Sequence, residues 1–184
     1  AWFNLQTVHY ALQWHLPSTQ YWKTTIGLGG MSQQNTNKAE EVIIPDYSLF
    51  DIGGFVFTQY NKDKWSLSGG LRFDTRHVQG DPMTVDNEPK FSSFTSNFSN
   101  VSGSAGLSYA ASHQLNLKLN VARGFRAPNL AELASNGAHE GTNRYEVGDQ
   151  DLKSETSLQI DGGLELNTDH VSLEANVFYN HIKN

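Results

Sequence analysis

The chain contains seven histidines and no cysteine, so any metal or acid–base chemistry must run through imidazole, carboxylate or guanidinium groups. The missing thiols remove disulfides, thiolate metal sites and a cysteine nucleophile together. No histidine pair stands at the His-Glu-x-x-His or comparable spacing that puts two imidazoles on one metal. His139 is the residue of interest: it lies in a long loop beside Glu140, and a neutral imidazole is a common metal ligand. His77 lies near the end of a strand at the rim that carries the long loops, placed to approach His139 in space. Arg126, Glu140 and Arg144 complete the candidate ligand-binding set. A solvated loop histidine is the competing reading of His139. His9, His15, His113, His170 and His181 read as strand or turn residues without a ligand. The carboxylates Asp74, Asp81, Asp86, Glu88, Glu140 and Glu146 are ordinary loop and rim residues. Asp74, His77 and Asp81 are close in sequence, yet a strand rim collects such groups by chance; no catalytic residue is assigned and no enzyme is expected.

The elements that would position these residues are strands. Period-2 alternation recurs eight times along the chain. Trp65, Leu67, Gly69, Leu71 and Phe73 alternate with Ser66, Ser68, Gly70, Arg72 and Asp74. Leu158, Ile160, Gly162, Leu164 and Leu166 alternate with Gln159, Asp161, Gly163, Glu165 and Asn167. Successive strand side chains point to opposite faces, so each strand has one apolar and one polar face. The third strand, near 48–60, is blurred, because Phe55 and Phe57 sit opposite Phe50, Ile52 and Val56. A mean hydropathy of −0.50 alongside 10 Phe, 7 Tyr and 4 Trp fits a sheet of which only one face meets lipid. The net charge of −6 and the lack of a Lys/Arg run argue against nucleic acid as a partner.

Connections between strands alternate short and long seven times. Short turns fall at Pro17-Ser18-Thr19, at Asn61-Lys62-Asp63, near Ala111-Ser112 and at Asn167-Thr168-Asp169; long segments fall at about 31–47, 80–97 and 124–153. Up-and-down membrane barrels place short turns at one rim and long loops at the other. Trp14, Trp22, Trp65 and Tyr109 lie on the apolar face near short turns, where an interfacial aromatic girdle belongs. The expected fold is therefore all-β: an antiparallel up-and-down transmembrane β-barrel segment of about eight strands, with outer-membrane lipid as a partner. A small outer-membrane barrel enzyme and a soluble β-barrel ligand-binding protein are the alternatives. The second predicts an inward apolar face, against which the charged face of Arg72, Asp74, Lys118, Asp161, Glu165 and Glu174 argues.

The longest loop carries two boxes. One is Phe125-Arg126-Ala127-Pro128-Asn129-Leu130, continued by Ala131-Glu132-Leu133; the other is Asp151-Leu152-Lys153-Ser154-Glu155. Over about 35 contiguous residues this stretch resembles the signature of TonB-dependent outer-membrane receptors. Asp149-Gln150 stands where Asn or Asp followed by Pro is common, and Ser154 where Pro is frequent. Physically, Pro128 and Gly137 are read as ending regular pairing, and Asn129 as the N-cap of a short helical turn. Most box residues, Phe125, Arg126, Pro128 and Leu152 among them, then shape the loop and its return into the sheet.

The resemblance implies ligand-gated import of a scarce nutrient, energised through TonB, in a barrel of roughly 22 strands around an N-terminal plug. No plug segment is recognisable in residues 1–184, and both ends read as cut through structure, so the chain is expected to be part of such a barrel. Partners would be the TonB complex acting through the plug, and a small-molecule or metal cargo. No cofactor is required. Haem-uptake members place an iron-ligating histidine between similar boxes and zinc-uptake members carry loop histidines, so haem or zinc is a possible cargo at His139; siderophores remain open.

Overall fold

The computed structural model describes residues 2–38, 42–85, 87–139 and 144–183. In chain order the elements are β1 (Phe3–His15), β2 (Trp22–Asn37), β3 (Tyr47–Lys62), β4 (Trp65–Gly80), β5 (Met83–Val85), β6 (Glu88–Phe91) and β7 (Phe94–Ala110). They continue with β8 (Leu115–Arg126), α1 (Leu130–Ala134), β9 (Asn136–His139), β10 (Arg144–Val147), β11 (Glu155–Asn167) and β12 (Ser172–Lys183). Eight of the strands form one sheet in the order β1-β2-β3-β4-β7-β8-β11-β12. Every neighbouring pair is antiparallel, and the eight strands are those that the alternation predicts.

The register sorts side chains cleanly. On the outer face of β4, Trp65, Leu67, Leu71 and Phe73 give way to Thr75, His77 and Gln79 toward the long-loop rim. The apolar stretch from Trp65 to Phe73 covers about 26 Å along the strand, of the order of the apolar band of a membrane barrel before tilt is allowed for. These residues stay open to the surroundings: Leu71 is 63% and Phe73 54% exposed, as lipid-facing residues must be. The aromatic girdle forms as expected, with the Trp65 and Tyr109 ring centroids 4.3 Å apart and those of Trp22 and Tyr60 4.8 Å apart, each pair tilted and both at the short-turn rim. The tightest of these turns, between Lys62 and Trp65, is closed by Asp63 at φ 52°.

The blurred third strand now has a reason. Phe55 and Phe57 face inward, and their rings lie over positions without side chains: a Cβ at Gly27 would meet Phe55 and one at Gly70 would meet Phe57. Glycine opposite a large ring lets the inner wall hold an aromatic without a gap.

Three sequence boundaries need correction. The segment 31–47 is not all loop, since β2 runs on to Asn37; the segment 80–97 contains the β5–β6 hairpin, and β7 starts at Phe94; the segment 124–153 gives Phe125 and Arg126 to β8 and contains α1 and the β9–β10 hairpin. Gly137 does not end pairing; it pairs with Glu146 inside that hairpin. Long loops on a barrel rim extend the ladder wherever backbone groups find partners, which polar sequence alone does not announce.

The buried core is small and sits on the inner face at the long-loop rim. Tyr47, Leu49, Val78, Phe94 and Phe98 from the wall enclose Leu130, Leu133 and Ala134 of α1, with Met31, Ile44 and Ala127 against them. Leu133 is fully buried. The long connections are cross-tied: Asn136 N–H donates to the Ile43 carbonyl at 2.9 Å, Asn136 Nδ2 to the Lys90 carbonyl at 2.8 Å, and Asn37 Nδ2 to Asp46 at 2.7 Å.

Candidate functional site

One row of inward-facing residues crosses five strands. Register pairs His9 with Met31, Met31 with Asp51, Asp51 with Arg76 and Arg76 with Phe98. Below it, Asp74 on β4 stands beside Gly53 on β3 and Asn100 on β7. The first row and Asp74, with Arg72, Arg126 and Ala127, line a cavity of ≈ 500 Å³ on the inner wall beside the α1 core. A pocket of this size suits a small organic molecule or a metal complex.

Its wall is a set of paired charges. Arg76 grips Asp51 through two nitrogens at 2.8 and 2.7 Å, and Arg72 reaches Asp74 at 2.6 Å, over the Phe55 ring. Bidentate guanidinium–carboxylate pairs hold a fixed geometry in a half-buried wall. Gly53 leaves room for this pair, since a Cβ there would displace the Asp74 carboxylate and the Arg72 guanidinium.

Arg126, the last residue of β8, ties the wall to the loop. Its guanidinium donates to Glu155 at 2.8 Å and to both oxygens of Glu132 at 2.9 and 2.8 Å. Glu132 in turn accepts from the Asn129 backbone N–H at 2.8 Å, while Asn129 Oδ1 accepts from the Glu132 N–H at 2.9 Å. This reciprocal capping box starts α1 as the sequence predicts. Arg126, then the Asn129 N–H, hold the Glu132 carboxyl below its ordinary pKa. The loop closes where Gly148 N–H donates to Ser135 and Asp149 N–H to Glu132. Of the box residues, Pro128 and Leu130 are buried, Ala127 packs on the core, and the Asp151 N–H donates to Asp149 Oδ1, so both boxes build this loop; Leu152 stays exposed at 39%.

The remaining candidates separate. His139 pairs with Arg144 across the β9–β10 hairpin, so these two are neighbours in register. Glu140 lies outside the described residues. His77 does not line the cavity: it faces outward, with Nδ1 2.7 Å from Asn97 Oδ1 and Phe50 opposite. Odd-numbered residues of β4 face out, so proximity to the rim put His77 on the wrong side of the wall. No group of three His, Asp or Glu that could hold a metal ion occurs among the described residues. Sequence reading passed over His9, Met31, Asp51, Arg76 and Phe98; alternation marks some of them as inward, but only register puts them in one row.

Residues 2–184 match the family described as TonB dependent receptor-like, beta-barrel. The chain belongs to that family. This receptor barrel wall therefore resides in the bacterial outer membrane, crossing it by strands. The chain is 30% identical over 127 residues to the ferric enterobactin receptor of Pseudomonas aeruginosa, 64% of this chain and 15% of that protein. Its fold is shared with the copper transporter OprC, at TM-score 0.75 and 18% identity, covering 98% of this chain and 30% of that one. It is likewise shared with the hemophore receptor HasR of Serratia marcescens, a double mutant in complex with its hemophore and heme, at TM-score 0.67 and 16% identity, covering 97% and 33%. The receptor barrel chain thus spans a third or less of each of these relatives.

Proposed function

We propose that the protein containing this receptor barrel takes up a scarce nutrient across the outer membrane as a complex, with energy delivered by TonB through a plug held inside the barrel. The eight strands described here are then one part of a larger wall. Among the described residues, β1 pairs only with β2 and β12 only with β11, and unpaired strand edges in lipid cost several kcal/mol per backbone group. Neighbouring strands would remove that cost.

The observation that carries the reading is the ≈ 500 Å³ cavity on the inner wall, flanked by the family box through Arg126. Iron held by an organic chelator is the favoured cargo. The cavity offers guanidinium, carboxylate, thioether and aromatic groups, and the described residues bring together no three-donor site for a bare ion. Haem is the second reading: His139 and Arg144 are backbone register partners in the β9–β10 hairpin, and imidazole and guanidinium are residue types suited to haem iron and propionate.

Titration of the full-length receptor with haem and with ferric chelates separates them. The favoured reading expects a ferric complex to bind, with binding weakened at least tenfold by Arg76→Ala and unchanged by His139→Ala. Haem binding that His139→Ala abolishes would replace it with the second reading. Binding of neither class would overturn both.

A further inference from the structure

Charge on the outer face has one sign. In outward register on the large sheet, the fully charged side chains are Lys62, Arg123 and Lys183; the Asp and Glu residues of those strands all face inward. Lys62 ends β3 at the short-turn rim, its ammonium 5.4 Å from the Tyr21 ring centroid. Arg123 and Lys183 lie at the opposite rim, where the apolar band ends. Leu158 pairs with Arg123 on one side and His181 on the other, and Thr156 pairs with Lys183. Arg123, His181 and Lys183 therefore occupy two successive rows on β8 and β12, with β11 between them. With strands about 4.8 Å apart, the cluster spans roughly 10 Å. Arg123 and Lys183 enter none of the ion pairs among the described residues, and Arg123 donates only to the Val101 carbonyl.

A second feature adjoins Arg123. An apolar groove of ≈ 530 Å³ runs from it toward the middle of the band, walled by Val56, Leu71, Val101, Val121 and Leu158, and among the described residues Arg123 is its one charged residue. The groove exists because Gly69 and Gly103 leave the outer face without side chains there. A groove on a lipid-facing wall is filled by acyl chain, and a cation at its water-side end selects an anionic headgroup. Guanidinium binds phosphate through paired hydrogen bonds.

We infer that this outer face holds one phosphate-bearing membrane lipid, an acyl chain in the groove and its phosphate against Arg123, with Lys183 and His181 beside it. A free phosphate ion would use the cations and leave the groove empty. The occupant is therefore the lipid.

The test uses the full-length receptor in neutral detergent, with native mass spectrometry of adducts formed with dioleoyl phosphatidic acid and, separately, with dioleoylglycerol, which lacks the phosphate. The receptor is expected to retain one phosphatidic acid and little dioleoylglycerol. The double variant Arg123→Gln, Lys183→Gln should weaken phosphatidic acid retention by about thirtyfold, at about one order of magnitude or less per surface cation. Gly69→Leu should also weaken it; a Cβ there meets only the Ser104 carbonyl at 3.6 Å, so the variant fills the groove without straining the sheet. Lys118→Gln, which touches the inner face alone, should leave retention intact. Equal retention of both lipids, no response to the double variant or to Gly69→Leu, or displacement by inorganic phosphate would each overturn the assignment.

Discussion

Arg126 shows how one residue joins a membrane wall to the loop above it. Its guanidinium serves Glu155 in the sheet and Glu132 in the loop at once. Because folding lowers the Glu132 pKa, that pair's contribution is complete above the ordinary carboxylate range and is lost as pH falls through the lowered value. The protection of amides 129–135, taken relative to intrinsic exchange at the same pH in the full-length receptor, should therefore fall in acid, and Glu132→Gln should remove most of that pH dependence. Both partners are substantially exposed, so a modest effect is expected. Asn129→Ala deletes the cap acceptor and should cost about 1 kcal/mol of local loop stability by the same exchange measurement at neutral pH. Arg126 and Asn129 were legible from the box, as loop-shaping residue and N-cap. Their partners were only half legible: spacing puts Glu132 three residues from Asn129, whereas Glu155 meets Arg126 solely through the β8–β11 register.

At the level of elements, α1 is too short to be stable by itself; a five-residue helix relies on its cap and its packing. Leu133 supplies the packing, buried against wall residues from β3, β4 and β7. Leu133→Ala should cost about 2–5 kcal/mol of loop docking, read as loss of exchange protection in 129–139 and 144–149 with the barrel itself still folded. Gly148 closes the same loop: a Cβ there would come within 3 Å of the Leu133–Ser135 backbone. Gly148→Ala should consequently loosen the loop as much as removing Leu133, and proteolytic nicking near residue 148 would report it. An unchanged cleavage pattern would show that the loop is held elsewhere.

For the whole molecule, the division of faces governs tolerance. Leu119 faces outward at mid-strand and Asn120 inward, where it donates to Asp161 at 3.2 Å. Leu119→Arg should destabilise the full-length barrel by about 2–4 kcal/mol when refolded into vesicles, while Asn120→Arg, free to pair with Asp161, should be close to neutral. Equal penalties would mean that the two faces are not lipid and lumen.

The sequence by itself determined the strand count, the two faces, the rim that carries the long loops, the capping of α1 and, through the paired boxes, the family. All of these are local or periodic properties, readable within one strand or one loop. Tertiary structure alone decided which inward residues share a row, that His77 turns away from the cavity, that three long connections tie into one roof, and that glycines on neighbouring strands open a groove beside Arg123. Each depends on register between strands whose pairing residues lie tens of positions apart, and a shift of one residue reverses every face.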